Sequence, residues 1–117
     1  MTNLVLRKNN DAYFLIIKNK YLFYSINFND IYFIEKKGKK VYIMLYNKII
    51  EYYGSLYQLE YILKRNSFFK CHQSYIVNCK KILLINKDEI EFNDIKNTIF
   101  VSDRYKDDLI NKIESEE

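Results

Sequence analysis

The 117-residue chain has no proline, no tryptophan, two glycines, two cysteines and one histidine. Gly38 and Gly54 are too few and too far apart for a glycine-rich phosphate loop. One histidine with Cys71 and Cys79 does not match the ligand spacing of a closed zinc site. Cys71 and His72 are adjacent, but neighbours in an extended chain point to opposite faces and cannot form a nucleophile pair. No pair of carboxylates stands out either, so we expect neither an enzyme nor a metal or cofactor site.

Long apolar runs are also missing. None approaches the ~20 residues of a membrane-spanning helix, and the N-terminal MTNLVLRKNND lacks the apolar stretch of a signal peptide. We therefore expect a cytoplasmic protein without membrane insertion. The chain is 49% hydrophobic and 29% charged, an ordinary globular balance. With no linker or repeat to mark a boundary, residues 1–117 are expected to form a single domain.

Apolar runs of strand length recur at intervals of about ten residues, which favours an all-β sandwich or barrel over a helical bundle. The candidate strands are 3–8, 12–18, 20–26, 31–36, 39–46, 48–53, 82–86, 89–93 and 97–101. Short polar residues suited to tight turns stand in several connections, at Asn19, Asn47, Asp88 and Asp94. Both faces of 39–46 are largely apolar, which predicts a strand between two layers. Most of the twelve tyrosines and eight phenylalanines are expected either to lie in the core or to reflect compositional drift.

Two segments have helical spacing instead. Residues 55–65 carry leucines on one helical face, at Leu56, Leu59 and Leu63. Ser55 and Gln58 predict a capping box at the start of this helix. Residues 103–114 carry apolar side chains at four-residue spacing, at Tyr105, Leu109 and Ile113. The second segment predicts a helix near the C-terminus.

The stretch FFKCHQSYIVN at 68–78 sets His72, Gln73 and Ser74 between apolar runs. The apolar residues anchor both ends in a core, so the polar residues form a loop in fixed geometry. Such a loop suits recognition more than catalysis.

Positive charge is concentrated in KKGKK at 36–40, where the glycine permits a tight turn and the ammonium groups fan outward. This turn either contacts phosphates or is a solvated turn that protects a hairpin end, and the residues alone leave both open. Further positive charge lies near other candidate loops, at Lys70, Lys80, Lys81, Arg104 and Lys106. Acidic residues collect at the C-terminus, at Glu114, Glu116 and Glu117. If the fold gathers the basic loops on one edge, this asymmetry suits a polyanion.

Four segments in order resemble the LytTR DNA-binding domain of bacterial transcription regulators. They are IYFIEKKGKKVYI at 31–43, YYGSLYQLEYIL at 52–63, FFKCHQSYIVN at 68–78 and IFVSDRYKDDLINKI at 99–113. The similarity extends over about residues 13–113. It implies a mainly β fold, an elongated sandwich of antiparallel sheets with one or two short helices. It also implies sequence-specific binding of double-stranded DNA through loops, and regulation of transcription.

The resemblance implies DNA contacts in three loops. The first carries Lys36, Lys37, Lys39 and Lys40. Relatives often place a histidine or basic residue of this loop in the major groove, but this chain has no histidine there and a shorter loop, so phosphate contact is the implied role. The second carries His72, Gln73 and Ser74, and the Gln73 amide suits adenine N6 and N7. In the third, the Arg104 guanidinium fits guanine O6 and N7, with Lys106 nearby.

Each of these residues also has a structural interpretation. His72 reads a base or fixes the loop by a hydrogen bond within the protein. Ser74 contacts a phosphate or caps the turn, and Asn78 is expected to stabilise a turn through backbone hydrogen bonds. Arg104 reads DNA or forms a surface ion pair with a nearby carboxylate, that of Asp103, Asp107 or Asp108.

Relatives bind direct repeats with two domains to a site, so two copies of this chain are expected on DNA. Many relatives carry a phospho-receiver domain, for which residues 1–30 leave no room. The chain is thus an excised output domain or a stand-alone regulator controlled by a partner protein. Two other functions remain open, a protein-protein interaction module and a thiol redox sensor. The sensor requires Cys71 or Cys79 exposed with a lowered pKa, whereas we expect two reduced thiols.

Overall fold

The computed structural model describes residues 2–64 and 66–115. Over these ranges the chain forms eleven strands, all in antiparallel pairs, and two α-helices. The strands are β1 (Asn3–Asn9), β2 (Ala12–Lys18), β3 (Phe23–Asn27), β4 (Phe33–Lys37), β5 (Lys40–Met44), β6 (Ile49–Tyr53), β7 (Phe68–His72), β8 (Tyr75–Asn78), β9 (Ile82–Asn86), β10 (Glu89–Phe92) and β11 (Thr98–Phe100). The helices are α1 (Leu56–Leu63) and α2 (Asp103–Ser115). The prediction of a mainly β fold with antiparallel sheets and short helices is confirmed.

Three sheets stack into layers over a molecule of 42 × 35 × 25 Å. The central sheet has the strand order β6-β5-β4-β8-β7, and the outer sheets have the orders β1-β2-β3 and β11-β10-β9. Two apolar cores form on opposite faces of the central sheet. Successive residues of β4 and β8 alternate between them, because side chains of a strand point to alternate faces. Ile34 and Ile76 enter the core shared with β2 and α1, while Phe33 and Val77 enter the core shared with β10 and α2.

The prediction that 39–46 lies between layers is therefore confirmed. Val41 and Ile43 of β5 are fully buried in the first core, and Met44 packs against the second. Such a strand needs apolar residues on both faces. No helix within the described ranges is long and apolar enough to cross a membrane.

Three details differ from the sequence predictions. The third strand begins at Phe23, not at residue 20, because the Asn19 side chain accepts the N–H groups of Tyr21 and Leu22 and closes a turn there. Ser55 precedes α1, but its side chain makes no capping hydrogen bond, so the capping box is wrong. Burial of one leucine face determines this helix instead, through Leu56, Leu59 and Leu63. The strands β7 and β8 were not predicted as strands.

The tyrosines are divided between the core and the surface, and the exposed ones fit the compositional drift that the sequence left open. Five of the twelve are exposed, at Tyr21, Tyr46, Tyr53, Tyr57 and Tyr61. A tyrosine side chain tolerates exposure to solvent because its hydroxyl group stays hydrated, although its ring is apolar. The other seven tyrosines are buried or half-buried.

The Asn78 side chain at the end of β8 is buried, with 1% of its surface exposed. Its Nδ2 donates to the carbonyl oxygens of Ile31 at 2.9 Å and Phe28 at 3.4 Å. Its Oδ1 accepts from the Ser67 hydroxyl and from the Lys80 N–H. The expected turn-stabilising role is confirmed, and the side chain also connects the segment before β4 to the end of β8.

We expect Asn78→Ala to lower the free energy of unfolding by about 3 kcal/mol, because it leaves several buried donors and acceptors without partners. Urea unfolding followed by circular dichroism measures this loss. Asn86→Ala is the control, since Asn86 is exposed at the end of β9, and it should change the free energy by less than about 0.5 kcal/mol. Equal effects of the two substitutions would contradict the structural role of Asn78.

Candidate functional site

The hairpin of β7 and β8 presents the polar residues that the sequence singled out. His72 pairs with Tyr75 across the ladder, and Gln73 and Ser74 form the connecting turn. The His72 Nδ1 accepts the Ser74 N–H at 3.0 Å, and the His72 ring lies 5.4 Å from the Tyr75 ring between centroids. His72 thus fixes the turn by a hydrogen bond within the protein, which requires an unprotonated Nδ1. The Gln73 side chain is exposed at the tip.

A second turn lies beside this hairpin. Gly38 and Lys39 connect β4 to β5, and Lys37 pairs with Lys40. Gly38 has φ +61°, a left-handed conformation that glycine adopts at no steric cost. The Lys36 N–H donates to the Ser74 carbonyl oxygen at 2.9 Å, so the lysine turn (residues 36–40) and the hairpin turn (residues 72–75) are held together.

The four lysines of this turn are not equivalent. Lys37 and Lys39 are exposed. The Lys40 Nζ lies 3.4 Å from Glu51 Oε1 and 5.2 Å from the centroid of the Tyr53 ring. The charge of Glu51, with this hydrogen bond, raises the pKa of Lys40. Lys40 therefore already has an anionic neighbour, whereas Lys37 and Lys39 present their charge to solvent.

The start of α2 lies on the other side of the hairpin. The Ser102 N–H donates to the Cys71 carbonyl oxygen at 3.0 Å, and the Cys71 thiol lies 3.7 Å from the Phe100 carbonyl oxygen. These contacts fix residues 102–106, the α2 start, against β7.

Arg104 in the α2 start is exposed, and its guanidinium carbon lies 5.3 Å from the centroid of the Tyr105 ring. Within residues 2–64 and 66–115, Arg104 makes no ion pair with the nearby carboxylates of Asp103, Asp107 and Asp108. The surface ion pair that the sequence left open is therefore not formed. Lys106 is half-buried two residues further along the helix.

Two backbone hydrogen bonds link the three predicted loops, from Lys36 to Ser74 and from Ser102 to Cys71. The loops therefore follow one another in the order lysine turn, hairpin turn, α2 start, and we call them together the continuous edge. Not every predicted basic residue belongs to this edge. Lys80 and Lys81 follow the far end of β8, about 13 Å from the hairpin turn at the rise of an extended strand. Lys81 instead lies over the Tyr32 ring, at 5.0 Å. Two of the acidic C-terminal residues, Glu116 and Glu117, are outside the described residues.

Sequence reasoning missed the contact that fixes the exit of the hairpin. The Tyr75 hydroxyl donates to Glu35 Oε2 at 3.3 Å, across the pairing of β8 with β4. Burial, and then the Glu35 carboxylate, raise the pKa of Tyr75. The aromatic position in the 68–78 motif was the only signal, and it did not indicate a partner 40 residues away in sequence.

Both cysteines are buried thiols. Cys71 is fully buried and Cys79 is 7% exposed. Burial raises the pKa of the Cys71 thiol to about 12. A redox sensor requires the opposite, an exposed thiol with a lowered pKa, so the structure does not support that alternative. In the described part of the chain, no three histidine, cysteine or acidic residues are placed to hold a metal ion.

We expect the Cys71 thiol to react very slowly with a disulfide reagent at pH 7 in the native protein, because a pKa of about 12 leaves roughly one thiolate in 10⁵. The Cys79→Ser variant isolates Cys71 for this measurement. The same variant in denaturant is the control and should react within minutes. Complete labelling of the native variant within minutes would show that Cys71 is accessible and reactive.

The comparisons with known proteins agree with this geometry. The model of a family described as the LytTr DNA-binding domain matches residues 21–114, which include all three segments of the edge. One similar solved structure is the LytTr DNA-binding domain of a methyl-accepting/DNA response regulator from Bacillus cereus. That domain is 25% identical, with a TM-score of 0.71, and the alignment covers 88% of this chain and 97% of that one. No curated protein matches the chain.

Proposed function

Since the chain belongs to the LytTR family of DNA-binding domains, whose members in general bind DNA and regulate transcription, we propose that it recognises a specific duplex sequence through its continuous edge. The edge consists of the lysine turn, the hairpin turn and the α2 start. The observation that supports this most is the pair of backbone hydrogen bonds that fix the edge, Lys36 to Ser74 and Ser102 to Cys71. A rigid edge holds several side chains in register with the grooves of a duplex.

The residues of the edge divide into two roles. Lys36, Lys37 and Lys39 contact phosphates, which positions the domain without reading sequence. Gln73 and Arg104 read base edges, since both are exposed and neither side chain has a hydrogen-bond partner among the described residues. A glutamine amide pairs with adenine, and an arginine guanidinium with guanine.

The remaining residues of the edge act mainly on its shape. The hydrogen bond from the Ser74 N–H to the His72 Nδ1 holds the hairpin turn in shape. The Ser74 hydroxyl is then available to contact a phosphate. Lys40 contributes less than its neighbours because of Glu51. Lys106 adds positive charge beside Arg104.

Two copies of the domain bind one direct-repeat site, each placing its loops in successive major grooves. A single copy then has modest affinity, and the second copy adds to it because the DNA holds both at high effective concentration. Control of this binding comes from a receiver domain or from a regulatory partner protein. Residues 1–117 form one DNA-binding domain, which acts in the cytoplasm.

Selection from a pool of random duplex DNA tests this function. We expect a short repeated motif to be enriched, and binding to the winning duplex to weaken steeply as salt rises, because each phosphate contact releases counterions. A scrambled duplex of the same composition is the control. Salt-sensitive binding without enrichment would reject specific recognition. No binding at low salt would reject DNA binding and favour a protein-interaction module.

Single substitutions distinguish base readout from phosphate contact. Arg104→Ala should weaken binding to the selected duplex by about 1–3 kcal/mol and relax the preference at one position, since a bidentate base contact is lost. Lys39→Ala should weaken binding to selected and scrambled duplexes equally and reduce the salt slope by about one. Lys80→Ala is the control, because Lys80 is exposed but far from the edge. Unchanged affinity of Arg104→Ala for the selected duplex would overturn its role.

A further inference from the structure

Three exposed tyrosines form a stripe that leads away from the DNA-binding edge. Tyr53 ends β6, and Tyr57 and Tyr61 lie one turn apart on α1. Their exposed fractions are 67%, 78% and 71%. The opposite face of α1 is the leucine face that is buried in the core, so the tyrosines necessarily point outward. We call these three residues the tyrosine stripe.

The stripe is continuous with the proposed DNA-binding edge. Tyr53 lies under the Lys40 ammonium, and the Gly54 N–H donates to the Lys39 carbonyl oxygen at 3.2 Å. The helix therefore starts directly beside the lysine turn. A second domain bound to the neighbouring DNA repeat would approach from a flank of this edge, where such a stripe is available for contact.

The stripe combines ring surface with apolar neighbours. Leu4 of β1 and Ile62 of α1 line the same groove as the three tyrosines. Cations already lie over the two outer rings, with Lys40 over Tyr53 and Lys64 over Tyr61 at 5.6 Å. Within the described ranges no cation lies over Tyr57, and an aromatic ring face attracts a lysine or arginine.

The size of the stripe decides which partner it fits. A fully buried aromatic side chain contributes 150–250 Å², so three at about 70% exposure offer roughly 300–500 Å². A stable interface buries roughly 800 Å² on each partner. The stripe is thus too small to hold a partner in free solution. It is large enough to add to binding when DNA already holds two copies side by side.

We propose that the tyrosine stripe is the surface through which one DNA-bound copy of this chain contacts a second, making their binding cooperative. The inference rests on the proposed function, because it requires two copies on one duplex. It goes beyond that function in assigning the contact to residues that do not touch DNA. Tyr57 and Tyr61 supply this contact, and Tyr53 connects it to the edge.

The test compares duplexes that carry one or two copies of the selected motif. The variant is Tyr57→Gln with Tyr61→Gln, because glutamine is polar and keeps helix propensity. The wild type should bind the second motif about tenfold more tightly than an isolated motif, and the variant should lose that gain. Both should bind the single motif with affinities within about twofold, and both should unfold at similar urea concentrations.

Tyr46→Gln is the matched control. Tyr46 is 65% exposed but lies between β5 and β6, at the end of the central sheet away from the lysine turn. This variant should retain full cooperativity. Inserting five base pairs between the motifs rotates one copy by about half a helical turn, which should abolish the cooperativity of the wild type.

The outcomes separate the inference from the function on which it rests. Single-motif binding with full cooperativity in the stripe variant would overturn the inference and leave the proposed function intact. Single-motif binding without cooperativity in the wild type would also overturn it. A dimer of the wild type without DNA would overturn the argument from area. Failure of the wild type to bind even one motif would overturn the proposed function itself.

Discussion

The position of β8 is the constraint on which the rest of the molecule depends, because this strand is fixed to β4 at both of its ends. At one end the buried Asn78 side chain bonds to the Ile31 and Phe28 carbonyl groups that precede β4. At the other end Tyr75 bonds to Glu35. A shift of one residue would exchange the two faces of the strand and move Ile76 and Val77 into the wrong cores. The hairpin turn directly before β8 is therefore fixed in position as well.

Cys71 links the position of β8 to that of the α2 start. It is the unpaired residue at the point where the ladder between β7 and β8 shifts register, and such a bulge redirects the strand locally. Its backbone carbonyl accepts the Ser102 N–H, and its thiol lies between two carbonyl oxygens, those of Tyr75 and Phe100. A small side chain suits this crowded position. Cys71 thus connects β7 to the α2 start, and the adjacent His72 fixes the hairpin turn.

Local sequence patterns predicted the strands and helices that form because of the spacing of apolar residues along the chain. The alternation of 39–46 located β5 between layers, and the leucine face located α1. The hairpin strands β7 and β8 were not predicted because both are short. Lys70 and His72 interrupt the apolar residues of β7, and the four residues of β8 are too few to show a period of two.

The contacts that assemble the edge could not be predicted from sequence, since they join residues that are far apart along the chain. The Lys36 N–H donates a hydrogen bond to the Ser74 carbonyl oxygen, and the Ser102 N–H donates one to the Cys71 carbonyl oxygen. Lys80 and Lys81 show the reverse case. They lie close to Gln73 in sequence, but an extended strand separates them in space.

The edge achieves its electrostatic character with few charges and without a uniformly basic surface. The formal net charge is only +4, and Glu51 already neighbours Lys40. When a phosphate approaches, Lys40 exchanges one anionic partner for another, so it gains little, whereas Lys37 and Lys39 exchange only water and counterions. The salt dependence of binding should therefore reflect fewer contacts than the number of lysines in KKGKK. In the proposed function, specificity depends on Gln73 and Arg104, and their positions follow from the register of β8 and from the hydrogen bond between Cys71 and Ser102.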